Sequence, residues 1–409
     1  MKLDYADSPL VPPAAPDGAR AVHIGPLAAD DGGMLAGRFL GAMTMLGRAL
    51  AAEKAGPPHL VALTIRTGDA QALLDADRWE LELLYREALG GNFCQIAVVS
   101  DPDFDLAVEA HAIVPVPPAG PIHADMDAAT LNYEYSARAQ VPGHMAHFHA
   151  WRTEGAAYRA AHLTAELPYG EGPGQAIDLY MPEGGEGAPP LHIFIHGGYW
   201  QALDKSDHGH LLAAMGAAGH AVAVINYDLL PKPGLTIDDL AEQCRRAVEA
   251  LWRAAPLYGY DRARITISGH SAGGHLGAEL AATDWPARDT DMPADLVKGA
   301  ILVSGLYDLE PLRLTGVNKA VGMDEATAVR RSPIHMKPAH PLPVVVAVGG
   351  AESSEFHRQS RAFAEVWAHR GARTEFLALD GLNHFTVLEA FGDPSSALGA
   401  RALRLMATL

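Results

Sequence analysis

From about residue 190 onward the chain alternates between two patterns. Short runs such as LHIFIHGG, AVAVINY, ARITISG, GAILVSG and PVVVAVGG are apolar at almost every position, and RTEFLALD continues the series. Strands apolar on both faces belong to a parallel sheet covered by helices on either side. Between the runs, apolar residues recur every three to four positions. In TIDDLAEQCRRAVEALW, Thr236 and Asp239 predict a capping box, and Ile237, Leu240, Cys244, Val248 and Leu251 predict a buried stripe. Strand and helix in alternation predict a doubly wound α/β sheet, in which active sites gather at the carboxyl ends of the strands.

The first part of the chain reads differently. MLAGRFLGAMTMLGRALAAEKAG and LLDADRWELELLYREALGG have helical spacing and end in glycine, whereas HLVALTIRTGD, FCQIAVVS and LAVEAHAIV read as strands. In the last, Leu106, Val108, Ala110 and Ala112 share one face, and Glu109 and His111 share the other. A mixed α+β domain over residues 1–118 follows. The stretch PVPPAGP, with four prolines in seven positions, forbids regular structure and leads into a linker over 119–130. The α/β domain then occupies 131–409, and no internal repeat is visible. At 409 residues the chain is too long for one ordinary core, in keeping with two domains.

Charge narrows the range of partners. Lys and Arg number 31 and Asp and Glu 49, for a net charge of −18. That field repels nucleic acid and anionic membranes, so a small-molecule substrate is the expected partner. Cys94 and Cys244 are the only cysteines, which excludes a disulfide framework and a cysteine-based zinc site. The start, MKLDYADSPLVPPAAPDG, lacks a basic segment followed by an apolar one, and no apolar run of about 18 residues occurs, so a cytoplasmic location is expected. His144, His147 and His149 cluster in HMAHFHAW with no carboxylate among them and read as surface histidines. Neither a metal nor a cofactor is expected.

The stretch ISGHSAGGHL carries the candidate chemistry. Gly269-His270-Ser271-Ala272-Gly273 fits G-x-S-x-G, follows a predicted strand and precedes a predicted helix, the context of a nucleophile elbow. A serine nucleophile needs a histidine to take its proton and an acid to orient that histidine. His384, in DGLNHF, and Glu352, just past PVVVAVGG, stand at strand carboxyl ends in the order serine, acid, histidine. Asp308 and Asp380 compete for the acid's role, and strand order favours Glu352. Upstream, the glycines of IHGGYW let backbone N–H groups approach a substrate carbonyl, making Gly198, Tyr199 and Ala272 the candidate oxyanion donors. His196, Gly197, Trp200 and His270 are the candidate substrate-binding residues, with Tyr199 and Trp200 offering aromatic surface.

These motifs resemble the kynurenine formamidase (arylformamidase) branch of the α/β-hydrolases. The resemblance is carried by LNYEYSARAQVPG, FIHGGYWQALDKSD, SGHSAGGHL, SGLYDLEPL, AESSEFHRQSRAF and GLNHF, spanning about residues 129–409. It implies a Ser-His-acid triad on Ser271, His384 and Glu352, with HGGYW forming the oxyanion hole. Animal members commonly carry aspartate where Glu352 stands. The expected reaction is hydrolysis of an N-formyl aryl amine such as N-formylkynurenine; a carboxylesterase or carbamate hydrolase is the alternative, and a binding or sensor protein with an inert hydrolase half is a further one.

Residues from about 18 to 115 are similar to the RidA/YjgF reactive-intermediate deaminases, chorismate-mutase-like α+β proteins that form trimers. The carrying residues are AVHIGPLAADDGG, HLVALTIRTGDAQALLDADRWELELLY and VEAHAIV. Glu109 matches that family's water-positioning glutamate. Asn92 stands where the family has its carboxylate-binding arginine, and it lacks an arginine's charged, bidentate fork. The resemblance therefore implies a homo-oligomer, most simply a trimer, built on a non-catalytic module; a binding cleft around Asn92 and Glu109 is the functional alternative.

Overall fold

The computed structural model describes residues 4–5, 19–28, 35–53, 55–56, 59–76, 78–89, 94–115, 122–124, 126–141 and 143–409. The chain divides into two compact units, Met1–Pro142 and Gly143–Leu409. Helices Ala128–Glu134 and Ala137–Gln140 fall in the first unit, although the proline-rich boundary had assigned most of that stretch to the second.

The first unit holds a five-stranded sheet. Its strands are β1 (Asp4–Tyr5), β2 (Ala19–Ala28), β3 (Leu60–Thr67), β4 (Gln95–Ser100) and β5 (Ala107–Pro115), in the order β1-β4-β3-β5-β2. β2 and β3 flank β5 as antiparallel neighbours, whereas β3 and β4 are parallel. Period-two alternation drives Val108, Ala110 and Ala112 into a core with Phe39, Leu46, Leu63, Ile65 and Tyr85. Glu109 and His111 lie on the other face. The stretch read as one helix from Leu73 is two, Ala70–Asp75 and Arg78–Leu89, because Ala76 is extended.

The second unit is built on an eight-stranded sheet. Its strands are β6 (Ala165–Pro168), β7 (Ala176–Tyr180), β8 (Pro190–Ile195), β9 (Ala221–Ile225), β10 (Asp261–His270), β11 (Val297–Val303), β12 (Pro343–Gly349) and β13 (Arg373–Leu379). The order is β13-β12-β11-β10-β8-β9-β7-β6. All six strands read from the sequence are present and parallel. β7 and β6 add an antiparallel edge that apolar runs did not reveal, since both are short and a glycine-rich turn joins them. The helix Ile237–Tyr258 starts at the Thr236–Asp239 capping box and buries all five residues of its predicted stripe.

Strand order places the site. From β8 the chain moves outward to β9, then crosses back to enter β10 on β8's other side. Connections leaving β8 and β10 diverge, which opens a crevice at their carboxyl ends. The segments that emerge there begin at His196 and Ser271.

Candidate active site

β10 ends at His270 and the helix Ala272–Ala281 starts at the next residue but one, so Ser271 alone makes the turn. Its backbone, at φ 56° and ψ −121°, lies where non-glycine residues pay about 1–3 kcal/mol. The surroundings enforce it. Ser271 donates its N–H to the Val303 carbonyl at 2.9 Å. A Cβ on Gly269 would lie 2.1 Å from the Gly273 oxygen, and one on Gly273 would lie 2.0 Å from that of Ile195. Both glycines of the motif are thus fixed by backbone contact, while the first turn of the helix offers Ala272 N–H without an intrahelical acceptor.

Glu352 and His384 are brought together from the ends of β12 and β13. Nδ1 of His384 lies 2.6 Å from Oε2 of Glu352, whose side chain is almost fully buried. Since a carboxylate only accepts, that nitrogen carries the proton and Nε2 keeps the basic lone pair. The second carboxylate oxygen accepts from the Gly349 N–H at 2.7 Å and from the Ser304 hydroxyl at 2.5 Å. Ser304, just past β11, is fully buried and has φ 48°. Sequence reasoning missed it; its only signal was a small polar residue at a strand's carboxyl end.

His384 is held against the elbow. Its ring lies tilted against that of His270 with centroids 4.6 Å apart, and its carbonyl lies 2.8 Å from His270 Nε2. Burial, then the neighbouring His384, pushes the His270 pKa well below the ordinary histidine value, so this neutral ring donates Nε2–H to the carbonyl. Phe356 covers another side of His384 at 4.9 Å.

The loop after β8 turns left-handed. Gly198, Tyr199 and Trp200 have φ 94°, 51° and 59°, and the Gly198 carbonyl accepts from Gln201 at 2.9 Å and Ala202 at 3.1 Å. Gly198 permits this because a Cβ there would lie 2.2 Å from the Ala202 oxygen. The Tyr227 hydroxyl donates toward the carbonyls of His196 and Gly197, at 2.9 and 3.2 Å. A Cβ on Gly197 would lie 3.0 Å from that of Ser271, which sets this loop directly beside the elbow.

Several sequence expectations change here. Trp200 is fully buried, edge-on to His275 at 5.2 Å, so only the half-buried Tyr199 supplies the expected aromatic surface. His196 is also fully buried, stacked on Tyr227 at 4.4 Å and within 2.8 Å of Asn226 Oδ1; it supports the loop rather than meeting solvent. Gly197 and His270 likewise pack inside, against Ser271 and His384. The competing acids are occupied elsewhere: Asp308 caps the helix Leu309–Arg313 and pairs with Arg358 at 3.0 Å, and Asp380 is exposed. In the helix His144–His162, His149 is exposed as expected, but His144 is buried against Phe385 and the half-buried His147 contacts Glu389 at 2.6 Å, so those two are not surface histidines.

In the first unit, Asn92 lies outside the described residues. Glu109 is an ion-pair partner of Arg66, which reaches its Oε2 with Nε at 3.0 Å and Nη2 at 2.8 Å.

Fold and site together define an α/β-hydrolase of the esterase and formamidase kind. The family model described as BD-FAE matches residues 177–301. The kynurenine formamidase of Danio rerio is 32% identical over 247 residues, covering 59% of this chain and 81% of the fish protein. That of Salmo salar is 33% identical over 253 residues, covering 60% and 83%. A crystal structure titled as a putative thioesterase from Silicibacter sp. TM1040 superposes with a TM-score of 0.58 at 31% identity, covering 68% of this chain and 98% of its own. The chain belongs to the kynurenine formamidase family. Among the described residues, no helix is long and apolar enough to cross a membrane.

Proposed function

We propose that the protein is a serine hydrolase cleaving the acyl–nitrogen bond of a small N-formyl aryl amine, with Ser271, His384 and Glu352 as its triad. The observation that carries this reading is the buried Glu352–His384 pair, packed against His270, the residue next to a serine held at a strained backbone angle on the elbow. His384 Nε2 takes the Ser271 hydroxyl proton as Oγ adds to the formyl carbon. The N–H groups of Gly198, Tyr199 and Ala272 receive the resulting oxyanion. Collapse expels the amine, which leaves with the proton from His384, and a formyl ester remains on Ser271. Water, deprotonated by His384, adds to that ester and releases formate. No step needs a metal or cofactor.

The likeness to BD-FAE and to a protein titled as a thioesterase supports a second reading, in which an ester or thioester is the substrate. The same oxyanion forms in either case. A panel of N-formyl aryl amines, longer N-acyl aryl amines, aryl carbamates, thioesters and p-nitrophenyl esters, ranked by kcat/KM, separates the two. The formamidase reading requires the N-formyl amines to lead; it fails if esters or thioesters lead by orders of magnitude and no amide is cleaved.

For the first unit we infer a RidA-like module that assembles the chain into a trimer. Its two longer helices and a sheet with both parallel and antiparallel neighbours support that reading.

A further inference from the structure

One cluster in the first unit has no part in the hydrolase site. The antiparallel register of β2 and β5 sets His23 directly opposite His111, and strand alternation puts Glu109 on the same face, two residues from His111. Their neighbours Val22, Ile24, Val108, Ala110 and Ala112 point the other way into the core, which anchors both strands. The two imidazoles meet with Nδ1 atoms 3.4 Å apart and ring centroids 4.6 Å apart. His23 Nε2 lies 3.6 Å from Glu109 Oε1. One ligating atom from each of the three residues lies within 4.8 Å of the others.

The surroundings suit a cation. Arg66 donates two hydrogen bonds to Glu109 Oε2, which leaves Oε1 toward the histidines and fixes the carboxylate's orientation. The same guanidinium pairs with Asp101 at 3.1 Å. One arginine against two carboxylates leaves a net negative charge beside the imidazoles. Nitrogen ligands at ~2.0–2.1 Å from a tetrahedral zinc ion stand roughly 3.3–3.4 Å apart, close to the spacing of the two Nδ1 atoms. Two imidazoles and one carboxylate form a donor set used for divalent first-row metals, with room left for water or a small ligand.

We propose that His23, Glu109 and His111 form a binding site for one divalent first-row transition-metal ion. Histidine spacing along the sequence could not reveal it, because the two histidines stand 88 residues apart and meet only through strand pairing.

The test uses the full-length protein, freed of metal by dialysis against a chelator, and titrates Zn²⁺ in competition with a chromophoric chelator. Co²⁺ absorption serves as an independent report of nitrogen ligation. One equivalent of Zn²⁺ is expected to bind, with His23→Gln, Glu109→Gln and His111→Gln each weakening it by at least about tenfold. His147→Gln should leave it unchanged, and Mg²⁺, which prefers oxygen ligands, should not compete. His23 is exposed, so its variant should fold even if a buried substitution does not. Far-ultraviolet circular dichroism checks each variant. If no equivalent binds, or if binding is the same in all three variants, the cluster is only an imidazole pair beside an ion pair and the proposal falls.

Discussion

At the scale of single residues, the site rests on a few groups whose roles can be ranked. Ser271→Ala removes the proposed nucleophile and should lower kcat/KM by ~10⁴-fold or more, with the thermal midpoint little changed. More than about a tenth of wild-type turnover would exclude Ser271 from the mechanism. Glu352→Gln should cost less than the serine change but far more than Asp308→Asn, since Glu352 is the acid bonded to His384 whereas Asp308 caps a helix. A reversed ranking in kcat/KM would give the acid's role to Asp308. Ser304 donates to the carboxylate oxygen that does not face His384. Ser304→Ala should therefore lower kcat by about tenfold, the worth of one hydrogen bond to a charged group, while KM holds. An unchanged kcat would make the bond irrelevant to catalysis.

At the scale of elements, the loop after β8 and the strands beneath it carry the predictions. Gly198→Ala would press a methyl group to 2.2 Å from a backbone oxygen in a left-handed turn. The oxyanion donors should shift, and kcat should fall by about 10²-fold or more as the loop rearranges. Steady-state kinetics beside a thermal melt shows whether the loss is catalytic or global. Beneath the site, burial holds the pKa of His192, between Thr266 and Ser268, down to about 3. Burial also lowers that of His208, under the loop, to about 3. Unfolding returns each to about 6.5, so the unfolded chain binds more protons at mildly acidic pH. Their contribution is complete above about pH 6.5 and is lost as pH falls toward 3, by up to about 1.4 kcal/mol per pH unit for each group. The thermal midpoint should drop between pH 7 and pH 5, with His192→Gln reducing the slope. A flat profile would mean that these histidines are not buried in neutral form.

At the scale of the whole molecule, the proposed assembly is open to direct measurement. Light scattering of the full-length protein should give three times the chain mass of 43.3 kDa. A monomer at micromolar concentration would end the scaffolding reading of the first unit while leaving the hydrolase proposal intact.

The sequence by itself determined the elements whose cause is local. Continuous apolar runs specified β8 to β12 because such strands are buried on both faces, the half-exposed edge strand β13 continued the series, and the Thr236–Asp239 cap was legible because its hydrogen bonds span three residues. The pairing of Glu352 with His384 could be anticipated because parallel strands deliver their following residues to one edge. Tertiary structure decided what depends on neighbours remote in the chain. The antiparallel edge of β6 and β7 was hidden because short strands gain their stability from pairing rather than from their own pattern. His196 and Trp200 lie inside because residues just past β9 hold the loop, Tyr227 and Asn226 at His196 and Leu230 at the Trp200 carbonyl, which no spacing rule encodes. Ser304 beside Glu352, and His23 beside His111, are contacts between residues 48 and 88 positions apart. Strand register sets His23 opposite His111, and the turn past β12 brings Glu352 back to Ser304.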